Sequence, residues 1–250
     1  MKSLAVVILN YNGIKLIEKF LPSVIKFTPT KYNIYIIDNG STDTSVEFIR
    51  SNFKSIKVVE LDKNYGYAKG YNIGLKKINE EILCLLNNDV EVTDKWTKKI
   101  MIQFENEKKT VVIQPKMKNS NKRDYFDYAG ASGGFLDRYG YPYCNGRILN
   151  RIEKDNNQYN DLNDIFWACG ACFFVRNNIF KKFGGFDEIF WAHFEEIDLC
   201  WRLQNNGYKI RFNPNSTIYH ANAASLASNI PKKTYFNFRN MLFTITKNSK

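Results

Sequence analysis

One stretch constrains the fold more than any other: Leu83-Cys84-Leu85-Leu86-Asn87-Asn88-Asp89-Val90, an unbroken apolar run that gives way abruptly to Asn-Asn-Asp. Such a run fits a parallel-sheet strand covered on both faces, because alternation is expected only where one face meets water. Open α/β sheets bind ligands outside the carboxyl ends of their strands. A carboxylate at that tip, with amides beside it, is a hard-oxygen site suited to Mg²⁺ or Mn²⁺ carrying phosphates. Taken alone, the stretch is better read as a strand–loop junction in which Asn and Asp cap a turn. The rest of the chain is what raises the metal site above that reading.

Leu4 to Leu9 is a strand by length and β-branched content, with Asn10-Tyr11-Asn12-Gly13 as its turn. Ile17, Phe20, Leu21, Val24 and Ile25 give Ile14–Lys26 one apolar helical side. Asn33–Ile37 is the next strand, ending at Asp38, and Ser41 or Thr42 is the expected N-cap of a helix carrying Val46, Phe48 and Ile49. Ile56–Leu61 and Leu83–Leu86 complete an alternation that implies a parallel sheet with right-handed crossovers. Between them, glycines recur at 66, 70 and 74, which is not the dinucleotide G-x-G-x-x-G pattern. That spacing puts Gly70 and Gly74 on one helical face, where missing Cβ atoms let a helix approach the sheet.

A helix near Asp94–Glu107 and a strand at Thr110–Gln114 follow, after which regularity falls away. Residues 118–164 read as a long functional or mobile loop with a strand pair around Tyr128–Leu136. Ile165–Val175 reads as a strand interrupted by Gly170-Ala171. A helix starts at Glu195 and stops at Gly207, and the acids Glu195, Glu196 and Asp198 in its first turn suit the helix dipole. Ile210–Phe212 and Thr217–His220 are expected as closing strands. In the last segment, flanked by Lys232, Lys233, Lys247 and Lys250, Tyr235, Phe238, Leu242 and Ile245 share a helical face, for core packing or for contact with a membrane surface.

Composition excludes little. A chain of 250 residues, 44% apolar and 24% charged, buries one sizeable core with room for a small appendage. No apolar run approaches the ~18–20 residues that span a bilayer, and no small-residue cleavage site follows the N-terminal strand. Five cysteines in apolar contexts suit a reducing, cytoplasmic compartment, and Cys169 and Cys172, without a second pair or a nearby His, are buried thiols rather than a zinc site. The net charge of +11 is spread along the chain with no nucleic-acid signature, so the charge does not choose between nucleic acid, an anionic membrane surface and a phosphorylated substrate. Nucleic acid drops out of the expected partners only through the family resemblance that the motifs carry.

Together these pieces resemble the family 2 glycosyltransferases, inverting enzymes of the GT-A fold, and are similar to the bacterial rhamnosyltransferase-like members of cell-surface polysaccharide synthesis. The markers are Val7–Asn12, Asp38–Asp43, Asn64-x-Gly66-x-Ala68-x-Gly70-x-Asn72-x-Gly74, Leu86–Asp89, Gly170-Ala171, Gly184–Asp187 and Glu195-Glu196-x-Asp198-Leu199, all in order. The resemblance implies a single Rossmann-like, mostly parallel sheet flanked by helices. It also implies a glycosyltransferase domain over 1–225, with a nucleotide-binding half to about 115 and an acceptor-binding half beyond, followed by a basic aromatic helix over 226–250.

The resemblance further implies roles. Leu9, Asn10, Tyr11, Asn12 and Asp38 hold the base and ribose of a nucleoside-diphosphate sugar, with Asn64, Gly66, Gly70 and Asn88 lining the same pocket. Asp89 corresponds to the last acid of the family's D-x-D motif and His220 to a second ligand of a divalent cation, Mg or Mn. Asn87 stands where the motif's first acid is expected, which puts metal affinity in doubt. Glu196 falls at the general base, with Glu195 its rival. Trp167, Gly170, Ala171, Trp191 and Asp198 fall to the sugar and acceptor. The acceptor is a saccharide or a polyprenyl-diphosphate-linked saccharide, reached by a cytoplasmic protein with peripheral contact at the inner membrane face through the C-terminal segment. The Q-x-x-R-W motif of processive members is absent, which implies one sugar per encounter. A nucleotidyltransferase of related fold and a non-enzymatic basic binding module remain the alternatives.

Overall fold

Strands and helices alternate from the N-terminus because β-branched apolar runs alternate with amphipathic ones. The computed structural model describes residues 2–161, 163–223 and 231–249. Its first half runs β1 (Leu4–Asn10), α1 (Ile14–Phe27), β2 (Asn33–Asp38), α2 (Ser45–Asn52), β3 (Lys57–Glu60), α3 (Gly66–Leu75) and β4 (Ile82–Asn87). There follow β5 (Val90–Val92), α4 (Lys98–Asn106) and β6 (Thr110–Asn119). Two small ribbons come next, β7 (Gly134–Leu136) with β8 (Pro142–Cys144), and β9 (Arg147–Ile148) with β10 (Arg151–Ile152). The chain closes with β11 (Cys172–Arg176), α5 (Asn177–Lys182), α6 (Glu195–Gln204), β12 (Lys209–His220) and α7 (Pro231–Asn248).

Eight strands form one sheet in the order β3-β2-β1-β4-β11-β6-β12-β5. Four of its neighbouring pairs are parallel and three antiparallel, so the expected mostly parallel sheet is present. Leu83, Cys84, Leu85 and Leu86 of β4 are fully buried at the centre, and each large apolar side chain so covered contributes about 1.5–3 kcal/mol. β1 lies between β2 and β4, so successive connections leave it in opposite directions. The crevice outside such a switch point is where a ligand meets strand ends. Asn10 and Asn87 end the two strands there.

Only two residues separate β4 from β5, yet β5 is the outermost strand beyond β12. Three peptide steps span at most about 11 Å. The sheet therefore curls until its last edge returns beside the tip of β4, with Val90 in register with His220.

Several expectations are corrected. The second helix begins at Ser45 after Thr44, because Ser41 and Thr42 are bonded to Asp38 and Asn12 instead of capping it. β6 continues to Asn119 and the two expected closing strands are one, β12, with its register shifted between Asn213 and Thr217. Of Ile165–Val175 only the part from Cys172 onward is strand, and the expected pair around Tyr128–Leu136 keeps only its last three residues, paired with Pro142–Cys144. Gly74 does meet the sheet: a Cβ there would lie 2.4 Å from Ile37 Cδ1.

The expected boundary at 225/226 falls in 224–230, outside the described residues, as do Lys250 and the side chain of Lys232. Beyond it, α7 turns most of the expected apolar face outward instead of into the core, and only Ile245 of that face packs against the core. Phe236, Asn240, Thr244 and Asn248, spaced by four, are its buried stripe, while Tyr235, Phe238 and Leu242 are 59%, 58% and 59% exposed. Asn248 Nδ2 donates to Asp198 Oδ1 (2.9 Å) and Lys247 pairs with the same carboxylate (3.0 Å), so polar groups dock α7 on α6. No helix of the described residues is long and apolar enough to cross a membrane.

Candidate active site

At the switch point the chain ties its own loops together. Asn88 Nδ2 donates to Asn10 Oδ1 (2.9 Å), and Asn10 Nδ2 to Asp38 Oδ1 (3.4 Å). Buried Asp38 also accepts from the Ser41 hydroxyl (2.6 Å) and amide (2.9 Å), which folds the loop after β2 over the tip of β1. Asn12, left-handed at φ 48°, accepts from the Thr42 amide (2.7 Å) and donates its own amide to Ser41 Oγ (2.9 Å). Asp43 receives the Ile14 amide at the start of α1 (3.1 Å); burial works against its charge, but bonds from Ser45 and Ile14 hold its carboxyl below the usual range. A Cβ on Gly13 would lie 2.3 Å from Asn10 Oδ1 and 2.5 Å from Asn88 Nδ2, so any larger residue there must displace these two buried amides. Leu9 packs against the core, and the Tyr11 ring above it is 46% exposed.

Asn39, next to Asp38, builds the adjoining wall. Its Nδ2 donates to Asn64 Oδ1 and to the Gly66 carbonyl, both at 3.0 Å, and its Oδ1 accepts the Tyr65 amide (3.1 Å). Gly66 is left-handed (φ 77°) and a Cβ on Gly70 would lie 3.0 Å from Asn39 Nδ2. Asn64, Gly66 and Gly70 are thus gathered with Asn10, Asn12, Asp38 and Asn88 at one end of the sheet. Asn39 itself is not singled out by sequence, since one more Asn in a turn carries no distinctive pattern.

Where the curled edge returns, His220 Nε2 lies 3.2 Å from Asp89 Oδ1. Its Nδ1 lies 3.0 Å from Asp127 Oδ2, and Asn222 Nδ2 donates to Asp127 Oδ1 (2.6 Å). Burial favours neutral imidazole, but the bonds and charges of Asp127 and Asp89 prevail and raise its pKa to about 10. Asp89 Oδ2 accepts the Ala223 amide (2.7 Å) and all three side chains are buried. Asp127 comes from the irregular stretch after β6, where no periodicity marked it.

A divalent cation fits this donor set in place of the imidazole proton on the Asp89 side, since imidazole binds a metal only when neutral. Carboxylate oxygen and imidazole nitrogen converge from two strand ends, and Asp127 orients the imidazole through its other nitrogen, as outer carboxylates do for metal-bound histidines. No three His, Cys, Asp or Glu side chains form a metal cage among the described residues. A hard cation carried on substrate phosphates needs only one or two protein ligands.

The acids of α6 stand across Gly170 from this tip. The Asn87 amide donates to the Ala171 carbonyl (2.9 Å), and a Cβ on Gly170 would lie 3.2 Å from Tyr67 Oη and 3.7 Å from Glu196 Oε1. The Tyr67 hydroxyl donates to the Gly170 carbonyl (2.6 Å), a contact that sequence reading missed. Glu195 is buried at 4% exposure, Glu196 half-buried, and one carboxylate oxygen of each has no hydrogen-bond partner among the described residues. Burial, then the neighbouring Glu196, pushes Glu195 well above the usual carboxylate range. Burial also raises Glu196, while the backbone N–H groups of Glu196, Gly170, Ile197 and Phe194 pull it back.

Two expected acceptor residues sit elsewhere. Asp198 is committed to Arg202 (2.8 Å), Lys247 and Asn248, and Arg202 in turn holds the carbonyls of Phe183 and Gly185 in the Gly184–Asp187 turn. Trp167 is buried over Gly134, whose Cβ would lie 2.0 Å from its ring, and its indole N–H donates to Phe135 (2.9 Å). Both are structural because their polar atoms are already satisfied inside the molecule. Trp191 is 39% exposed beside Gly66 and stacks on Phe236 (5.9 Å between centroids, 28° between planes).

A switch point, a carboxylate–imidazole pair and a buried acidic pair thus stand together at one end of an α/β sheet. Comparison with known proteins places the chain in a family. The family model "Glycosyl transferase family 2" matches residues 5–184. The N-acetylglucosaminyl-diphospho-decaprenol L-rhamnosyltransferase of Mycobacterium tuberculosis is 21% identical over 244 residues, covering 89% of this chain and 77% of that protein. Among solved structures, GalNAc-T7 with UDP, GalNAc and Mn²⁺ superposes with a TM-score of 0.74 at 18% identity, covering 98% of this chain and 48% of the other. Staphylococcus aureus TarS 1-349 in complex with UDP-GlcNAc gives 0.66 at 20% identity, covering 99% and 68%. The chain thus spans about half of the first solved structure and about two thirds of the second. The chain belongs to glycosyl transferase family 2, and it is a glycosyltransferase with the GT-A fold.

Proposed function

We propose that the protein is an inverting glycosyltransferase of polysaccharide or cell-wall synthesis. It moves one sugar from a nucleoside-diphosphate sugar, UDP- or dTDP-linked, to a saccharide or polyprenyl-diphosphate-linked acceptor. The observation that carries the reading is half-buried Glu196, whose Oε2 has no hydrogen-bond partner among the described residues and whose Oε1 faces Gly170 beside the tip of β4. A buried acid with no partner is costly to keep, and a proton acceptor is the use that repays it. Both unpartnered oxygens are themselves buried, but Glu196 as a residue is the less covered of the two, so the base is assigned to it and Glu195 remains its rival.

In the reaction the acceptor oxygen bonds to the anomeric carbon as the bond to the diphosphate breaks. The hydroxyl proton passes to Glu196, and the electron pair of the broken bond leaves with the diphosphate. Asp89 and His220 would hold a divalent cation, Mg or Mn, which would supply positive charge against the departing diphosphate. Asn10, Asn12, Asp38, Asn64, Gly66, Gly70 and Asn88 shape the base and ribose pocket, Leu9 supports it from beneath, and the exposed Tyr11 ring packs on the base. Trp191, Gly170 and Ala171 border the sugar.

The exposed Tyr235, Phe238 and Leu242 face of α7, with Lys233 and Arg239 on the same helix and a chain charge of +11, suits peripheral contact with an anionic membrane. A lipid-linked acceptor is found at such a surface. The test of the activity is incubation with UDP-, dTDP- and GDP-sugars and Mn²⁺, reading released nucleotide by mass spectrometry. Release from one donor supports the reading. No release from any, together with no Mn²⁺-dependent stabilisation by UDP or dTDP, contradicts it.

A further inference from the structure

The two residues before α6, His193 (φ 69°) and Phe194 (φ 74°), are both left-handed and neither is glycine. L side chains rarely adopt this region, and consecutive occurrences persist only where surrounding contacts over-determine them. Those contacts come from α7. Buried Asn240 donates its Nδ2 to the carbonyls of Ala192 (2.9 Å) and His193 (2.7 Å), the last peptides before the acidic pair. Its Oδ1 accepts from Arg239 Nε (2.9 Å) and Nη2 (2.8 Å), which fixes which end of the amide points at the turn. Arg239 Nη2 also reaches the Ile189 carbonyl (3.3 Å).

The peptide whose oxygen Asn240 holds is the one that carries the Phe194 N–H. That N–H is among the backbone groups that favour the charged form of Glu196 against its burial. Fixing the carbonyl fixes the opposite end of the same planar unit. We propose that Asn240 is a positioning residue for the reaction: through the His193–Phe194 peptide it sets the direction in which the Glu196 carboxylate is presented to the acceptor. The inference rests on Glu196 as the general base. It gives α7 a role at the active site as well as a docking role, and it accounts for a fully buried amide on the inner stripe of that helix.

The experiment compares wild type, Asn240→Ala and Glu196→Gln in the full chain, using the UDP-, dTDP- or GDP-sugar that wild type turns over fastest. Asn240→Ala is expected to lower kcat about 10- to 100-fold, the cost of a misplaced catalytic group, with donor Kd changed less than about threefold. Without the N–H held toward the carboxylate, the acid limb of the kcat–pH profile moves to higher pH. Hydrogen exchange across residues 189–197 speeds up, a readout that needs no substrate. If Asn240→Ala does not fold, Arg239→Met, at a half-exposed position, is expected to move kcat and the acid limb the same way by less. Unchanged kcat and acid limb in whichever of the two variants folds overturns the proposal, as does a loss confined to donor affinity. Should Glu196→Gln keep wild-type turnover, the base assignment fails and this inference falls with it. Should Glu196→Gln be inactive while Asn240→Ala behaves as wild type, only the role of Asn240 is lost.

Discussion

His220 Nε2 and Asp89 Oδ1 meet across 3.2 Å although Asp89 follows the end of β4, which is separated in the sheet from the His220 strand, β12, by β11 and β6. The contact exists because the sheet curls and carries β5 back to the tip from which it started. The cation proposal follows from that closure. Asp89→Ala is expected to abolish the Mn²⁺-dependent gain in UDP or dTDP affinity, and Asp127→Asn, which only loosens the imidazole, to weaken it about 10-fold. Calorimetric titration of nucleotide with and without Mn²⁺ checks both, and an Asp89→Ala titration equal to wild type would contradict the ligand assignment.

Gly13 provides a test of the nucleotide end. A methyl group there would sit 2.3 Å from Asn10 Oδ1 and would break the Asn88–Asn10–Asp38 chain. Gly13→Ala is expected to weaken nucleotide binding about 10-fold or more, since losing a buried bond and leaving its partners unpaired costs about 1–3 kcal/mol. Fluorescence titration of UDP and dTDP measures it; wild-type affinity would place the nucleotide elsewhere.

Most of the site at the strand ends was legible because short, ordered motifs on buried strands carry it. Asn10, Asp38, Asn88, Asp89 and His220 all terminate or follow apolar runs that fix their position. Asp127, Asn39 and Asn240 were not legible, for different reasons. Asp127 lies in a segment without period, and Asn39 reads as an ordinary turn residue. Asn240 sits on a helix whose Tyr235, Phe238 and Leu242 point outward, so the rule that buries hydrophobic residues, one of the two readings of that face, points away from the stripe that holds Asn240. The rule fails there because the surface beneath α7 presents carbonyls and a carboxylate, which need donors rather than methyl groups.

The outward face of α7 leads to a membrane prediction. Sedimentation with anionic phospholipid vesicles at low salt is expected to carry the protein down, and Phe238→Ser with Leu242→Ser to reduce the bound fraction severalfold without lowering Tm. Binding that persists in the double variant, or no binding by wild type, would remove the peripheral contact.

Burial of the acidic pair sets the pH behaviour. As the proposed base, Glu196 would act only when ionised, and its raised pKa predicts that kcat falls on acidification at a pH above the ordinary Glu value of about 4.3. Glu195 holds its proton more tightly folded than unfolded. Its contribution to stability is therefore full below the unfolded pKa and drains away as pH rises through the folded one. Glu195→Gln is expected to raise Tm by a few degrees (~2–4 °C) at pH 8 and by less at pH 5. Thermal melts at the two pH values check the sign, and a variant less stable at pH 8 would contradict it.

The most direct test is Glu196→Gln, with turnover and donor binding measured on the same preparation. The amide keeps the size and polarity of the side chain but takes no proton. The account predicts a fall in kcat of about 100-fold or more with donor Kd within about twofold of wild type. Retained turnover, or a loss of donor affinity with kcat unchanged, would contradict it.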